Sequence, residues 1–411
     1  MVKRPVFYGW IVVAISLVTM TITYTTRFSF SVFYVAILDE FGWSRAVTSA
    51  AYSIMTIIAG MLGIIAGKLS DRFGSRIVCT VSGICLGLGF MLMSQVNTIW
   101  QVYLVYGVIV AAGIGACWPI LMPLVPHWFI ARKGLMSGIL ASGVGFGIIV
   151  IPPLASWLIS TWGWRTAYII IGAMALILIV VAAQFLKNNP QQAGQRPFGE
   201  TRVVTDTIAT ADDGLDFKEA ICTKQFALMC AIYFCFGFCL HSVMVHIVPH
   251  TTELGISATT AASVISLIGM LNIVGKLVIG SSSDKLGVKP SLIGSFVLLF
   301  FAFVWLRFAT ELWMFYLFGA LFALAYGGIM AMQALMMAEL FGLRSPAALL
   351  GLLSFAYTIG GASGPYVTGY LFDIAGNYYL AFLFAAVLAV AGSVLTTLLK
   401  RPDRNSHFLQ R

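Results

Sequence analysis

Long apolar runs, separated by short polar segments, dominate the hydropathy pattern of the chain. Each run has about 20 residues or more, which is enough for a helix to cross roughly 30 Å of hydrocarbon. Strands of a membrane barrel would be only about ten residues long and would alternate in polarity. The pattern therefore predicts an all-α membrane protein with twelve transmembrane helices. In approximate bounds the runs are Tyr8–Leu38, Ala46–Gly67, Ile77–Val96, Trp100–Pro126, Gly134–Ser160, Thr166–Leu186, Phe226–Val248, Ala258–Ser281, Ser291–Ala309, Leu312–Leu340, Ala347–Phe372 and Tyr379–Leu399.

One longer polar segment divides the twelve runs into six and six. It is poor in aromatic residues and contains Asn188-Asn189-Pro190 and Asp212-Asp213, a composition typical of a linker that is helical in part at most. The predicted domains are an N-terminal six-helix bundle (1–186), a cytoplasmic linker (187–220), a C-terminal six-helix bundle (221–400) and a cytoplasmic tail (401–411).

Composition and charge support this interpretation. The chain is 60% hydrophobic and 9% charged, whereas a soluble domain carries about 25% charged residues. With the N-terminus inside, nineteen of the 24 Lys and Arg residues fall in cytoplasmic segments and three in outside loops, a strong positive-inside signal. The net charge of +9 thus indicates topology rather than nucleic-acid binding. We expect a multi-pass protein of the cell (inner) membrane with both termini cytoplasmic.

The chain contains an internal repeat. The segment from Gly67 to Arg76 (GKLSDRFGSR) matches the segment from Gly280 to Lys289 (GSSSDKLGVK) in the pattern G-x3-D-[RK]-x-G-x-[RK]. The shift in numbering that carries Gly67 onto Gly280 is called the repeat displacement below. Further pairs at this displacement, or within one position of it, are Gly147 with Gly360, Pro152 with Pro365, Phe129 with Phe341, and Arg132 with Arg344. The chain is therefore predicted to be a duplicated six-helix unit.

Two basic residues, Arg27 and Lys276, lie inside the apolar runs, whereas all fifteen acidic residues lie in loops, tails or helix ends. A charged residue at the centre of a membrane helix costs about 2.5–3.5 kcal/mol on insertion scales. Asn272 precedes Lys276 by one helical turn, so their side chains share a face. The residues alone therefore predict an anionic ligand held by Arg27, Lys276 and Asn272. The alternative is that Lys276 snorkels to a lipid headgroup or pairs with a carboxylate.

Helical spacing adds further candidates around these cations. Tyr24, Arg27, Phe28 and Ser31 form one stripe of the first helix, and Tyr326 shares a face of the tenth helix with Met330 and Gln333. The seventh helix carries His241 and His246, either of which could change charge near physiological pH.

The repeated loops after the second and eighth helices resemble the signature of the major facilitator superfamily, over the whole chain. Within it, Phe73-Gly74-Ser75-Arg76-Ile77-Val78 is similar to the loop of monocarboxylate transporters. The segment from His127 to Gly138 (HWFIARKGLMSG) resembles that of oxalate:formate antiporters. The chain departs from this group in carrying lysine at position 276, where arginine is usual, and no lysine or arginine in the eleventh helix, which disfavours dianion exchange.

The resemblance implies two pseudo-symmetric six-helix bundles that alternate access to a central site. It implies that Trp118 and Leu140 contribute to the substrate site and that His246 carries a proton. Phe355 and Thr358 of the eleventh helix are further substrate-site candidates, because they lie near the corresponding depth. The repeated loops would form a conformational latch consisting of Gly67, Asp71, Arg72, Gly74, Arg76, Asp284 and Lys285.

The expected function is proton-coupled transport of small monocarboxylates such as lactate or pyruvate. The alternatives are an organic anion exchanger of the oxalate:formate type, a uniporter for small carboxylates, and a non-transporting sensor of the same fold. We expect no enzymatic activity, no cofactor or metal, and no obligate protein partner. The expected partners are a small carboxylate anion, a proton and the lipid bilayer.

Overall fold

The computed structural model describes residues 7–129, 133–198, 217–342 and 346–400. These residues are almost entirely helical, and ten of their helices are long and apolar enough to cross a membrane. One of the ten spans, Gly138–Gln184, lies within the helix Lys133–Gln184, which joins two helices across a turn at Gly163. A further long helix is Pro346–Ala375. Together they form the twelve predicted segments.

The helices are labelled here by predicted segment. They are α1 (Tyr8–Phe41, with a break at Ser29), α2 (Arg45–Phe73), α3 (Ser75–Met93), α4 (Ile99–Leu121), α5 and α6 (the parts of Lys133–Gln184 before and after Gly163), α7 (Lys224–Glu253), α8 (Ala258–Leu286), α9 (Val288–Leu306), α10 (Leu312–Phe341), α11 (Pro346–Ala375) and α12 (Tyr379–Leu398).

Two helices are less regular than their apolar patterns predict. α1 is divided into Tyr8–Phe28 and Phe30–Phe41 at Ser29, whose hydroxyl donates to the Thr26 carbonyl. α4 contains a π-helical segment over Val105–Val110, a local widening that often occurs near functional sites. A hydropathy pattern cannot show either feature, because both are changes in backbone hydrogen bonding and not in side-chain polarity.

Glycines with positive φ terminate the helices at matching places in the two halves. Gly42 and Gly255 follow α1 and α7, Gly74 and Gly287 follow α2 and α8, and Gly163 and Gly376 follow α5 and α11. The two members of each pair are related by the repeat displacement. Glycine is favoured at each position because a left-handed backbone is strained for residues with a Cβ atom.

The described residues form two compact units. The first combines residues up to 198 with Met244–Met270, and the second combines residues 217–243 with residues from Leu271 onward. α7 and α8 therefore each contribute one part to each unit. Large apolar side chains such as Ile64 and Leu277 are mostly exposed on the helix surfaces, as expected for groups that face lipid.

The beginning of the predicted linker is ordered against the first unit. The Tyr8 amide donates to Gln195 Oε1 at 2.8 Å, and the Phe198 amide donates to the Trp128 carbonyl at 2.9 Å. A short helix, Phe217–Ile221, precedes α7. Residues 199–216 of the linker and the predicted tail (401–411) lie outside the described residues, so the domain boundaries stay a prediction.

Within the second unit, α7 and α11 cross in backbone contact. A Cβ atom on Gly360 would lie 2.1 Å from the Phe234 carbonyl oxygen. In the first unit, a Cβ atom on Gly147 of α5 would lie 2.7 Å from the Thr21 carbonyl oxygen of α1. The repeat displacement carries Gly147 onto Gly360 and Thr21 onto Phe234, so the same crossing occurs in both halves. Small residues allow membrane helices to approach in this way.

We predict that Gly360→Ala destabilises the protein by about 1–3 kcal/mol, because the added methyl group must push α11 away from α7. Gly351→Ala on the same helix is the matched control, since a Cβ atom there meets no atom within 4 Å. Thermal unfolding in detergent measures the difference. Equal unfolding temperatures for the two variants would contradict the close crossing.

Candidate functional site

Asn272 and Lys276 lie on α8 where that helix crosses α10. A Cβ atom on Gly327 of α10 would lie 2.5 Å from the Asn272 carbonyl oxygen and 2.7 Å from the Lys276 amide nitrogen. A Cβ atom on Gly275 would likewise lie 2.8 Å from the Leu324 carbonyl oxygen. This backbone contact fixes the turn of α8 that carries both polar side chains.

Neither side chain is satisfied by the described part of the protein. Asn272 is 3% exposed, and its Nδ2 donor has no hydrogen-bond partner there. Lys276 is half-buried and forms no ion pair with a described residue. Arg45–Glu253 and Arg165–Glu40 are ion pairs of described residues, and all four members lie at or near helix ends. A buried amide donor and an ammonium one turn apart form a site suited to an anion with oxygen acceptors.

Arg27 belongs to the first unit and is held by a residue that sequence reasoning missed. Its Nε donates to the hydroxyl of Tyr52 on α2 at 3.3 Å, and its guanidinium lies 5.9 Å from the centre of the Tyr52 ring. Tyr52 is 1% exposed and packs against Phe30. The sequence signal was a tyrosine within the apolar run of α2, since most buried hydroxyls have a hydrogen-bond partner.

Three predicted residues meet beside Arg27 in the first unit. The Tyr24 and Phe28 rings stack at 6.3 Å between centres, and Tyr24 meets Trp118 edge-on at 6.3 Å. Leu140, in contrast, is completely buried in the apolar core of this unit. The structure thus groups the aromatic candidates of α1 and α4 and places Leu140 among packing residues.

The remaining substrate candidates belong to the second unit. Tyr326 is buried and lies 5.9 Å from Phe236 of α7, measured between ring centres. Phe355 is exposed, and the half-buried Thr358 donates its hydroxyl to the Ser354 carbonyl of its own helix. The structure shows no contact that joins Phe355 or Thr358 to Lys276 within the described residues.

The two histidines of α7 differ in surroundings. His246 is fully buried in the first unit, where its ring meets Tyr34 edge-on at 5.4 Å. His241 is 1% exposed in the second unit, where its Nε2 lies 3.1 Å from the Tyr357 hydroxyl oxygen. Among the described residues, no group of histidine, cysteine and acidic side chains could hold a metal ion.

The predicted latch residues surround two equivalent helix contacts. After Gly74, Arg76 donates to Gln184 Oε1 at 2.7 Å and 3.0 Å, and Lys289 donates to the Thr397 and Leu399 carbonyls at 2.7 Å and 2.8 Å. The repeat displacement carries Gln184 onto Thr397, so each half ties its loop to the end of its own sixth helix. Arg72 and Lys285 are exposed, Gly67 is partly buried, and the side chains of Asp71 and Asp284 lie outside the described residues.

Comparison with known proteins assigns the fold to a family. The profile of the Major Facilitator Superfamily matches residues 16–280 and 229–410. The chain therefore belongs to the major facilitator superfamily, whose members are membrane transporters, and it is not an enzyme.

Proteins of similar sequence include two monocarboxylate transporters and a bacterial transporter of the same superfamily. The chain is 26% identical to monocarboxylate transporter 12 of Mus musculus over 94% of this chain and 84% of the relative. It is 26% identical to monocarboxylate transporter 13 of Rattus norvegicus over 95% and 89%, respectively. It is 28% identical to the uncharacterized MFS-type transporter YhjX of Escherichia coli (strain K12) over 76% and 77%.

Solved structures share the fold at low sequence identity. A bacterial homologue of the human lysosomal transporter Spinster superposes with a TM-score of 0.77 at 15% identity, covering 97% of each chain. The nucleoside transporter NupG superposes with a TM-score of 0.74 at 14% identity, covering 94% of this chain and 99% of NupG. The predicted twelve-helix fold is thereby confirmed.

We predict that Tyr52→Phe lowers stability by about 1–2 kcal/mol, because it removes the acceptor that holds Arg27 Nε inside the protein. Tyr168→Phe is the control, since the buried Tyr168 hydroxyl has no hydrogen-bond partner among the described residues. Its loss is expected to be neutral or slightly stabilising. Thermal unfolding of both variants in detergent measures the effect, and equal behaviour would show that Tyr52 does not hold Arg27.

Proposed function

We propose that the protein is a proton-coupled secondary transporter of small monocarboxylates, lactate- or pyruvate-like in size, that works by alternating access. The observation that carries the proposal is the pair formed by Asn272 and Lys276. Both are polar groups in a membrane helix, and neither finds a counter-group among the described residues. A carboxylate supplies one negative charge for the ammonium and an oxygen acceptor for the amide.

The energetics of the membrane interior support an anionic substrate. A lysine at the centre of a membrane helix costs about 2.5–3.5 kcal/mol on insertion scales, and a bound anion offsets part of that cost. We assign Lys276 the attraction of the carboxylate and Asn272 its orientation. Arg27, in the other half of the chain, is assigned the role of a second attracting cation on the transport path.

Charge balance gives a reason for proton coupling. Binding a monocarboxylate changes the net charge of the transporter by −1, and binding one proton restores it. The loaded and the empty transporter then carry the same charge when they change conformation. The barrier to that change therefore contains no extra electrostatic cost, which a bare anion would add.

Two further features of the site fit a small substrate. The aromatic groups near Arg27, namely Tyr24, Phe28 and Trp118, offer apolar walls, as small-molecule sites usually do. The names of the relatives in mouse and rat agree with a monocarboxylate. We place the protein in the cell membrane with both termini cytoplasmic, on the strength of the positive-inside distribution of charge.

The direct test is uptake of labelled lactate by proteoliposomes containing the purified protein. An inward proton gradient is expected to drive accumulation above equilibrium. Uptake that ignores the gradient but requires internal anion would identify an exchanger, and uptake that responds to neither would identify a uniporter.

We predict that Lys276→Ala reduces lactate uptake to below about a tenth of the wild-type value. A hydrogen bond to a charged group is worth about 1.5–3 kcal/mol, and 1.4 kcal/mol corresponds to a factor of ten in affinity. Lys276→Arg keeps the charge and is expected to keep much of the activity. Asn272→Ala is expected to weaken apparent affinity by a smaller factor.

Lys224→Ala, at the exposed start of α7, is the control for loss of a positive charge in the second unit. It is expected to leave the apparent affinity for lactate unchanged. Normal apparent affinity and rate in Lys276→Ala would refute the assignment of the carboxylate site.

A further inference from the structure

We propose that His241 of α7, hydrogen-bonded to Tyr357 of α11, carries the proton that enters with the substrate. The proposal rests on the proton-coupled transport described above and assigns it to a particular pair of side chains. It differs from the expectation for His246, which the family resemblance suggested.

The His241 ring packs closely against α11 where that helix crosses α7. A Cβ atom on Gly361 would lie 2.3 Å from His241 Cδ2, so any other residue at position 361 would displace the imidazole. The same crossing is kept tight by further glycines, whose added Cβ atoms would lie 2.1–2.5 Å from carbonyl oxygens of the facing helix, namely Gly237, Gly360 and Gly364. The ring therefore has one well-defined place, against α11.

Tyr357 gives the imidazole a partner that can serve both of its charge states. The 3.1 Å bond joins His241 Nε2 and the Tyr357 hydroxyl oxygen, and the two ring centres are 5.6 Å apart. When the imidazole is neutral at Nε2, the phenol donates to it. When the imidazole is protonated, its Nε2–H donates to the phenol oxygen. The bond between Nε2 and the phenol can thus persist in both charge states of the imidazole, with its direction reversed.

The internal repeat relates His241 of α7 to a position of α1 next to Arg27. The close contact of Gly147 with Thr21 in the first half corresponds to that of Gly360 with Phe234 in the second half. Residues of α7 therefore correspond to residues of α1 by the repeat displacement. His241 then corresponds to Phe28, the neighbour of Arg27. In its own half of the chain, His241 therefore occupies the level at which α1 carries its membrane-embedded charge.

His241 also belongs to the same compact unit as the carboxylate site. Asn272, Lys276 and Tyr326 are all in the second unit, whereas His246 is in the first. Phe236 links the two groups, because its ring lies 5.7 Å from Tyr357 and 5.9 Å from Tyr326. Binding of an anion on α8 can therefore affect protonation of His241 within the second unit.

Few kinds of charged or titratable side chain accompany His241 and Tyr357 in the described part of the second unit. α11 presents Tyr357 to His241, α7 itself carries Cys235 and Cys239 within the two preceding turns, and Lys276 of α8 lies in the same unit. The described carboxylates of this unit lie at or near helix ends or in a short helix before α7; they are Glu219, Glu311, Glu339 and Asp373. Among these groups, histidine is the one whose ordinary range of protonation lies near neutral pH.

Two assays on the same proteoliposomes separate proton coupling from substrate binding. Accumulation of labelled lactate under an inward proton gradient requires net proton movement. Exchange of labelled for unlabelled lactate at equal pH requires binding and conformational change but no net proton movement. Wild type, His241→Gln, Tyr357→Phe and His246→Gln, the variant of the histidine that the family resemblance suggested, are compared in both assays.

We expect His241→Gln to lose gradient-driven accumulation at least about tenfold while keeping exchange within about threefold of wild type. Tyr357→Phe, which keeps the ring, is expected to shift the pH dependence of accumulation without abolishing exchange. His246→Gln is expected to retain both activities.

Gradient-driven accumulation by His241→Gln at the wild-type level would overturn the assignment. So would the loss of both activities in a His241→Gln protein that still unfolds at the wild-type temperature, because His241 would then serve binding rather than coupling. Wild-type protein that moves no lactate in either assay would instead refute the proposed function itself.

Discussion

The membrane interior offers no water to polar groups, so each of them must find its partner in the protein or in a ligand. Most of the described hydroxyls meet this constraint locally, as Thr19 does by donating to the Ile15 carbonyl and Ser295 by donating to the Ser291 carbonyl. Asn272 and Lys276 do not meet it within the described residues. We therefore propose this face of α8, where an amide donor unpaired among those residues and an ammonium lie one turn apart, as the binding site.

Duplication explains how such a site arises on a stable scaffold. The repeat displacement relates Asn272 and Lys276 to Ala59 and Gly63, at the corresponding crossing of α2 and α4. There a Cβ atom on Gly63 would lie 2.9 Å from the Gly115 carbonyl oxygen, so the first half keeps small residues for close contact. The second half retains the contact through Gly275 and Gly327 and adds an amide and an ammonium. The two halves therefore share the close helix crossing, and only the second half carries polar side chains there.

Hydropathy and the repeat were sufficient to predict the twelve helices, because length and apolar composition are set by the bilayer. They also identified Arg27 and Lys276, since a charge in an apolar run is conspicuous without any structure. Tyr52 and Tyr357 were missed as partners of Arg27 and His241, because contacts between different helices depend on rotation about each helix axis. The break at Ser29 and the π-helical segment of α4 were missed for a related reason, since a change of backbone hydrogen bonding leaves no mark on hydropathy.

The central claim is that α8 binds a negatively charged carboxylate rather than a small polar molecule in general. Thermal stabilisation of the purified wild-type protein by lactate and by lactamide, its uncharged counterpart of nearly equal size, tests that claim without altering the protein. The account predicts that lactate raises the unfolding temperature in a saturable manner and that lactamide leaves it unchanged at the same concentrations. Equal stabilisation by the two compounds would contradict the account, because the ammonium of Lys276 would then contribute nothing to recognition.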